Sequence, residues 1–125
     1  MRLQTKIDTF SLANENYPDF LAQRSDEWGV GDVHACEYFC GSGTMSWTDW
    51  EDGVPHEDNW EGMETCSSGD TIGMLLNLDE GTLTVYKNNR RLGVMKDGLS
   101  GPYCWYASTL SECEITMKRG QLPRL

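Results

Sequence analysis

A chain of 125 residues that is 38% hydrophobic has room for one domain, burying roughly two thirds of the surface its unfolded chain exposes. Its net charge of −10 is uneven, for Ser25 to Tyr86 holds fourteen Asp or Glu and no Lys or Arg, whereas Lys87 to Leu125 holds seven basic and three acidic residues. Such a field repels phosphate backbones and sets nucleic acid aside as a partner, and no run of ~18 apolar residues argues for a membrane span.

Taken in chain order, Met1 to Ser25 is weakly patterned and expected to be an irregular lead-in. Asp32 to Cys40 and Gly43 to Trp47 are candidate strands, separated by a turn at Gly41-Ser42-Gly43. Residues 48–68 form a long acidic connection that carries Trp50 and Trp60. The segment Leu78 to Val94 then sets two turn signals eight residues apart, with alternating apolar residues between them. With Asn88-Asn89 as a two-residue loop, Val85 faces Leu92 and Leu83 faces Val94. With Glu80-Gly81 as the earlier turn, Leu78 faces Leu83 and Leu76 faces Val85. Both readings place Leu76, Leu78, Leu83, Val85, Leu92 and Val94 on one face, and Leu75, Tyr86 and Arg91 on the other; Tyr86 and Arg91 are expected to form a cross-strand cation–π pair. Tyr103 to Ala107, apolar on both faces, suits a central strand, and Cys113, Ile115 and Met117 alternate with polar residues as a strand with one wet face. No amphipathic helix and no internal repeat appears. The fold class is all-β, a two-sheet antiparallel β-sandwich in a single domain over residues 1–125.

Between Gly69 and Leu110, several short elements occur together: Gly69-Asp70 before a strand, Ile72-Gly73 then Leu75-Leu76, the Leu78-Asp79-Glu80-Gly81-Thr82-Leu83 hairpin, Tyr86-Lys87-Asn88, and Leu92-Gly93 before a Gly-rich loop. This combination resembles the SPRY (B30.2) domain, and a looser similarity extends back to Trp28 and forward to Gly120. The resemblance implies a concanavalin-like jelly-roll sandwich whose end loops bind a protein or peptide, without catalysis, commonly as the recognition part of a larger multidomain protein. Three positions depart from the family pattern: Asn77 stands where Asp is usual, Tyr106 replaces a Pro, and the aromatic strand that opens the domain is missing. The expectation is therefore an N-terminally incomplete domain with an uncovered sheet edge. Leu110 to Ile115 resembles the late turn of SPRY proteins that carry a SOCS box, with Leu110-Ser111 in place of Trp-Gly. Their ligand preference does not carry over.

Other chemistries are weaker. His34, Cys36 and Cys40 are metal-ligand types, but positions four apart in a strand lie about 13 Å from each other, too far for one zinc ion or a disulfide. Asp49 to Glu64 holds seven acidic residues, yet with Gly53 as the sixth position of an EF-hand loop, Thr48 would be first and Asn59 twelfth, so the register fails. A Cys with His34 or His56 supplies nucleophile and base in composition only, and no nucleophile-elbow, zincin, P-loop or dinucleotide motif occurs. Five cysteines, an odd number, suit reduced thiols in the cytoplasm or nucleus better than a secreted disulfide framework.

The aromatic residues of the acidic connection carry the site expectation. Trp47 is expected in the core and Trp60 to pack the loop onto the sandwich, whereas Trp50 is the Trp expected to face a partner. The candidate contact residues are Asp49, Trp50, Glu51 and Asp52, with Leu110, Ser111 and Glu112 from the late turn. The expected function is non-enzymatic binding of a protein or peptide, with basic segments preferred and with no cofactor, metal, nucleic acid or membrane involved. A carbohydrate-binding sandwich, in which a Trp stacks on a sugar and Asp or Asn bonds its hydroxyls, is the alternative, and a Cys-dependent hydrolase ranks last.

Overall fold

The computed structural model describes residues 32–51, 54–107 and 116–120. Among these residues, two antiparallel sheets of three strands each make an all-β fold. The first joins β1 (Ala35–Tyr38), β2 (Met45–Thr48) and β3 (His56–Asp58) in that order, and the second joins β4 (Ile72–Asn77), β5 (Thr82–Lys87) and β6 (Arg90–Lys96) in that order. The expected strands upstream are present but shorter than read, and the acidic connection contains a strand, β3, that its charge and short length concealed. The readings for Met1 to Ser25, Cys113 and Ile115, and the candidate contacts Asp52, Leu110, Ser111 and Glu112, lie outside the described residues.

The second sheet follows local turn chemistry. Asn88 and Asn89 have φ of 51° and 67°, the pair of positive values that a two-residue hairpin turn needs and that Asn tolerates. Lys87 therefore faces Arg90, and Tyr86 faces Arg91 as read. Beyond that the register differs, because bulges interrupt the β5–β6 ladder between Val85 and Tyr86 and between Leu83 and Thr84. Val85 faces Gly93 rather than Leu92, and Leu83 faces Lys96 rather than Val94. Each bulge inserts one residue and moves the side-chain alternation along with it. Met95 consequently takes the buried place expected for Val94, with 3% of its surface exposed against 39% for Val94.

At the other end of the meander, four residues turn instead of two. Asn77 faces Thr82, so Leu76 meets Leu83 and Met74 meets Val85, a slip of two positions that keeps the same face inward. Leu78 thereby sits in the turn and is exposed rather than paired. Asn77 organises this turn: its Oδ1 accepts hydrogen bonds from the backbone of Asp79 at 3.1 Å and Glu80 at 3.2 Å. An amide oxygen here does the Asx-turn work for which a carboxylate is equally fitted.

The core lies where the sheets meet. Val33, Met45, Leu83, Val85, Met95 and Leu99 form its buried centre, with Cys36, Tyr38, Trp47, Trp60, Ile72, Met74, Leu76, Leu92, Tyr103 and Trp105 packed around it. Val85 has no exposed surface, and burying such side chains stabilises the fold by about 1.5–3 kcal/mol each. The opposite face of the first sheet is covered as well, for Ser46 and Thr48 are buried and Glu37 accepts a hydrogen bond from Tyr106 Oη at 2.9 Å.

Tyr103 to Ala107, expected as a central strand, is not a strand. It is held by side chains: Tyr103 Oη donates to the Val33 carbonyl at 2.8 Å, Trp105 joins the core, and Tyr106 bonds Glu37. Aromatic anchoring by Tyr103, Trp105 and Tyr106 substitutes for ladder pairing, while Cys104 between them is exposed. Residues 116–120 are likewise irregular, and Met117, expected to face inward, is 44% exposed.

Candidate functional site

The start of the acidic connection is a tight bend built from short polar side chains. Thr48 Oγ1 accepts from the Trp50 backbone at 2.8 Å, and Asp49 Oδ1 accepts from the Glu51 backbone at 2.9 Å. Such ST and Asx turns reverse the chain locally, and Trp50 takes a φ of 66°. In that conformation the indole is enclosed: Trp50 is 5% exposed and Asp49 8%. The expectation that Trp50 faces a partner is corrected, because the bend that sequence alone did not reveal turns its ring into the fold. Of this group only Glu51 is exposed in the described residues.

What the connection does present is acidic. Val54 is 69% exposed, and His56, Glu57 and Asp58 of β3 are all exposed, as is Glu61 beyond it. Glu57 pairs with Ser46 and Asp58 with Met45 on one side of β3, and among the described residues no strand pairs with its other side. Glu57, Asp58 and Glu61 also enter no ion pair among the described residues, whereas Glu64 does. The result is an exposed sheet edge bearing two carboxylates, next to an exposed Val.

The three loop tryptophans are all used internally. Trp47 stacks on His56 at 4.4 Å between ring centroids, with an interplanar angle of 23°, and carries Lys96 Nζ 4.5 Å above its ring. The cation–π contact recorded among the described residues is therefore Lys96 on Trp47, not Arg91 on Tyr86. Trp60 Nε1 donates to the Gly43 carbonyl at 2.7 Å, and Tyr38 packs edge-on against it. As read from the sequence, Trp60 fastens the loop to the sandwich.

Beyond Trp60 the chain becomes a strap between the two sheets. Gly62 and Gly93 let it pass: a Cβ on Gly62, whose φ is 95°, would stand 2.1 Å from the Leu92 carbonyl oxygen, and one on Gly93 2.7 Å from that of Glu61. Tyr38 Oη donates to the Glu64 carbonyl, and the Cys66 backbone donates to the Cys40 carbonyl at 2.8 Å. On the other side, Arg90 grips the Glu64 carboxylate with both terminal nitrogens at 2.9 Å, and Lys87 lies 3.6 Å from Glu64 and 3.9 Å from Asp70. Asn88 Nδ2 donates to Asp70 at 3.0 Å, while its Oδ1 accepts from the Thr71 backbone at 2.9 Å. The hydrogen bonds from Arg90 hold the Glu64 carboxyl below its ordinary value, and those from Asn88 and the Ser67 backbone do the same for Asp70.

Cys36, Tyr38 and Tyr106 keep their protons at physiological pH. Burial pushes Cys36 up to about 12 and, with the charges of Cys40, Cys66 and Glu64 adding to it, Tyr38 up to about 12. Tyr106 is raised by burial and by the neighbouring Glu37 carboxylate. Cys36 is thus a protonated thiol, not an activated nucleophile beside His34. Among the described residues, no three His, Cys, Asp or Glu side chains gather in a way that could hold a metal ion, and no helix is long and apolar enough to cross a membrane. An open hollow of about 460 Å³ near the β4–β5 turn is lined by Leu75, Leu76, Asn77, Leu78 and Asp79, a largely apolar lining without a second titratable group. No protein family, curated protein or solved structure matches the chain.

Proposed function

We propose that this chain is a SPRY-like protein-interaction module, non-enzymatic and part of a larger intracellular protein, that binds a basic protein or peptide segment. The observation that carries the reading is the acidic edge formed by β3: Glu57 and Asp58 are exposed on a strand with an open side among the described residues, flanked by Glu51, Glu61 and the exposed Val54. Carboxylates in that arrangement attract Lys and Arg from a distance, and an extended segment could add its backbone to the open side of β3. The meander motif that prompted the SPRY resemblance folds as a stiff hairpin pair, which suits a scaffold that presents loops. The protonated Cys36 argues against that thiol acting as a nucleophile. The carbohydrate reading loses its best stacking candidate, since Trp50 is buried.

The test is affinity capture from cell extract with the folded domain and with a Glu57→Lys, Asp58→Lys variant. Because these side chains are exposed, the variant is expected to keep its fold and to lose the specifically captured proteins. Capture by the wild type should weaken as salt rises from 50 to about 300 mM, as the screening length shortens. Equal capture by both proteins would move the site off β3, and capture of glycans alone would replace the reading.

A further inference from the structure

Cys40 lies in the turn between β1 and β2, and Cys66 belongs to the strap, far away in sequence. The Cys66 N–H bonds the Cys40 carbonyl at 2.8 Å, which sets the two backbones side by side, as a disulfide with its ~4.4–6.8 Å between Cα atoms requires. The two thiols are near enough to influence each other's charge, and the Cys66 thiol donates to the Ser67 carbonyl at 3.7 Å. Both are free thiols, Cys40 exposed and Cys66 half-buried.

We infer that Cys40 and Cys66 are a redox pair that closes to an intrachain disulfide when the protein meets a low-molecular-weight disulfide. The exposed Cys40 reacts first. Its thiolate sulfur attacks one sulfur of the small disulfide, whose S–S bond breaks and releases one thiolate, leaving a mixed disulfide on Cys40. Cys66 then loses its proton, and its sulfur attacks the Cys40 sulfur, expelling the second small thiolate. Two protein thiols are oxidised, one small disulfide is reduced to two thiols, and the two protons pass to those thiols. Burial and the adjacent Cys40 push the Cys66 thiol up to about 11, which casts it as the resolving thiol, reacting only once Cys40 is activated beside it.

The bond would staple the strap to the β1–β2 loop at the place where Tyr38 and Gly43 already hold it. Oxidation therefore converts a hydrogen-bonded junction between the sheets into a covalent one.

The experiment treats the folded protein with oxidised glutathione and follows it by intact mass and by peptide mapping without reduction. The wild type is expected to lose two hydrogens, to retain no glutathione at these positions and to yield a Cys40–Cys66 linked peptide. Its melting temperature should rise by roughly 10 °C, because the closed loop restricts the unfolded chain. Cys66→Ser should instead hold one glutathione on Cys40, and Cys40→Ser should leave Cys66 unmodified over the same time. A stable glutathione adduct on Cys40 of the wild type, linkage of Cys40 to Cys36, Cys104 or Cys113, or no reaction at Cys40 would each overturn the pairing. The mass and mapping results decide it whether or not either Ser variant is stable.

Discussion

The two sheets are built by different means. The β4–β5–β6 sheet is a continuous meander whose turns carry their own instructions: two Asn at positive φ in one, and an Asn side chain bonded to the next two backbone N–H groups in the other. The β1–β2–β3 sheet has short strands of three or four residues, and its position depends on bonds from distant residues, from Trp60 to Gly43, Tyr38 to Glu64 and Tyr103 to Val33. The difference teaches where fragility lies. Damage to a local turn disturbs one hairpin, whereas loss of a long-range anchor releases the strap and the faces it covers.

The largest expected effect falls on the enclosed bend that follows β2 in the first sheet. Trp50→Ala removes a side chain that is 5% exposed and should cost about 3–5 kcal/mol, visible in chemical denaturation. A stable Trp50→Ala protein that merely loses a binding partner would restore the surface role that burial denies it. Trp60→Phe deletes the donor to the Gly43 carbonyl at 2.7 Å together with part of the ring packed at the core, an expected loss of at least about 1–2 kcal/mol. The same variant should speed amide exchange around Gly43 and residues 60–66 more than in the meander, and uniform acceleration would erase the distinction between the sheets.

The meander answers to smaller, local changes. At Asn89, where φ is 67°, Val should cost about 1–2 kcal/mol, because a β-branched residue fits that conformation poorly. Gly at the same position should stay within about 0.5 kcal/mol of the wild type. Equal effects of the two substitutions, measured by urea unfolding, would show that the turn does not set this hairpin. The smallest effect concerns pH. The Glu64 carboxyl is lowered from 4.5 by its bonds to Arg90, so the contribution of the pair is fully present above 4.5 and is lost as pH falls through the lowered native value. Carboxyl NMR titration should show that lowered midpoint in the wild type and its return toward 4.5 in Arg90→Ala.

The uneven legibility of the sequence follows the same division. The two-residue Asn loop, the Tyr86–Arg91 pairing and the inward face of Leu76, Leu83 and Val85 could be read, since turn residues and period-two alternation act over a few neighbours. The exchange of Val94 for Met95 in the core could not, because a bulge shifts the alternation without leaving a mark in composition. Trp50 reads as a surface residue from its acidic neighbours, and the bend in which Thr48 Oγ1 and Asp49 Oδ1 accept two short backbone hydrogen bonds encloses it instead. Cys36 and Cys40 drew attention by their spacing, while the thiol that Cys40 meets is in the strap, and no local pattern points to Cys66.

By itself, then, the sequence determined an all-β chain with an acidic middle and a self-registering meander, for these rest on side-chain alternation, turn chemistry and charge, which are properties of neighbours along the chain. The tertiary structure alone decided which tryptophans are enclosed, that a strap joins the sheets through Glu64 and Arg90, and that Cys40 lies against Cys66. Those outcomes depend on which distant segments are brought within a hydrogen bond of each other, and that is settled only when the two sheets bury their shared core.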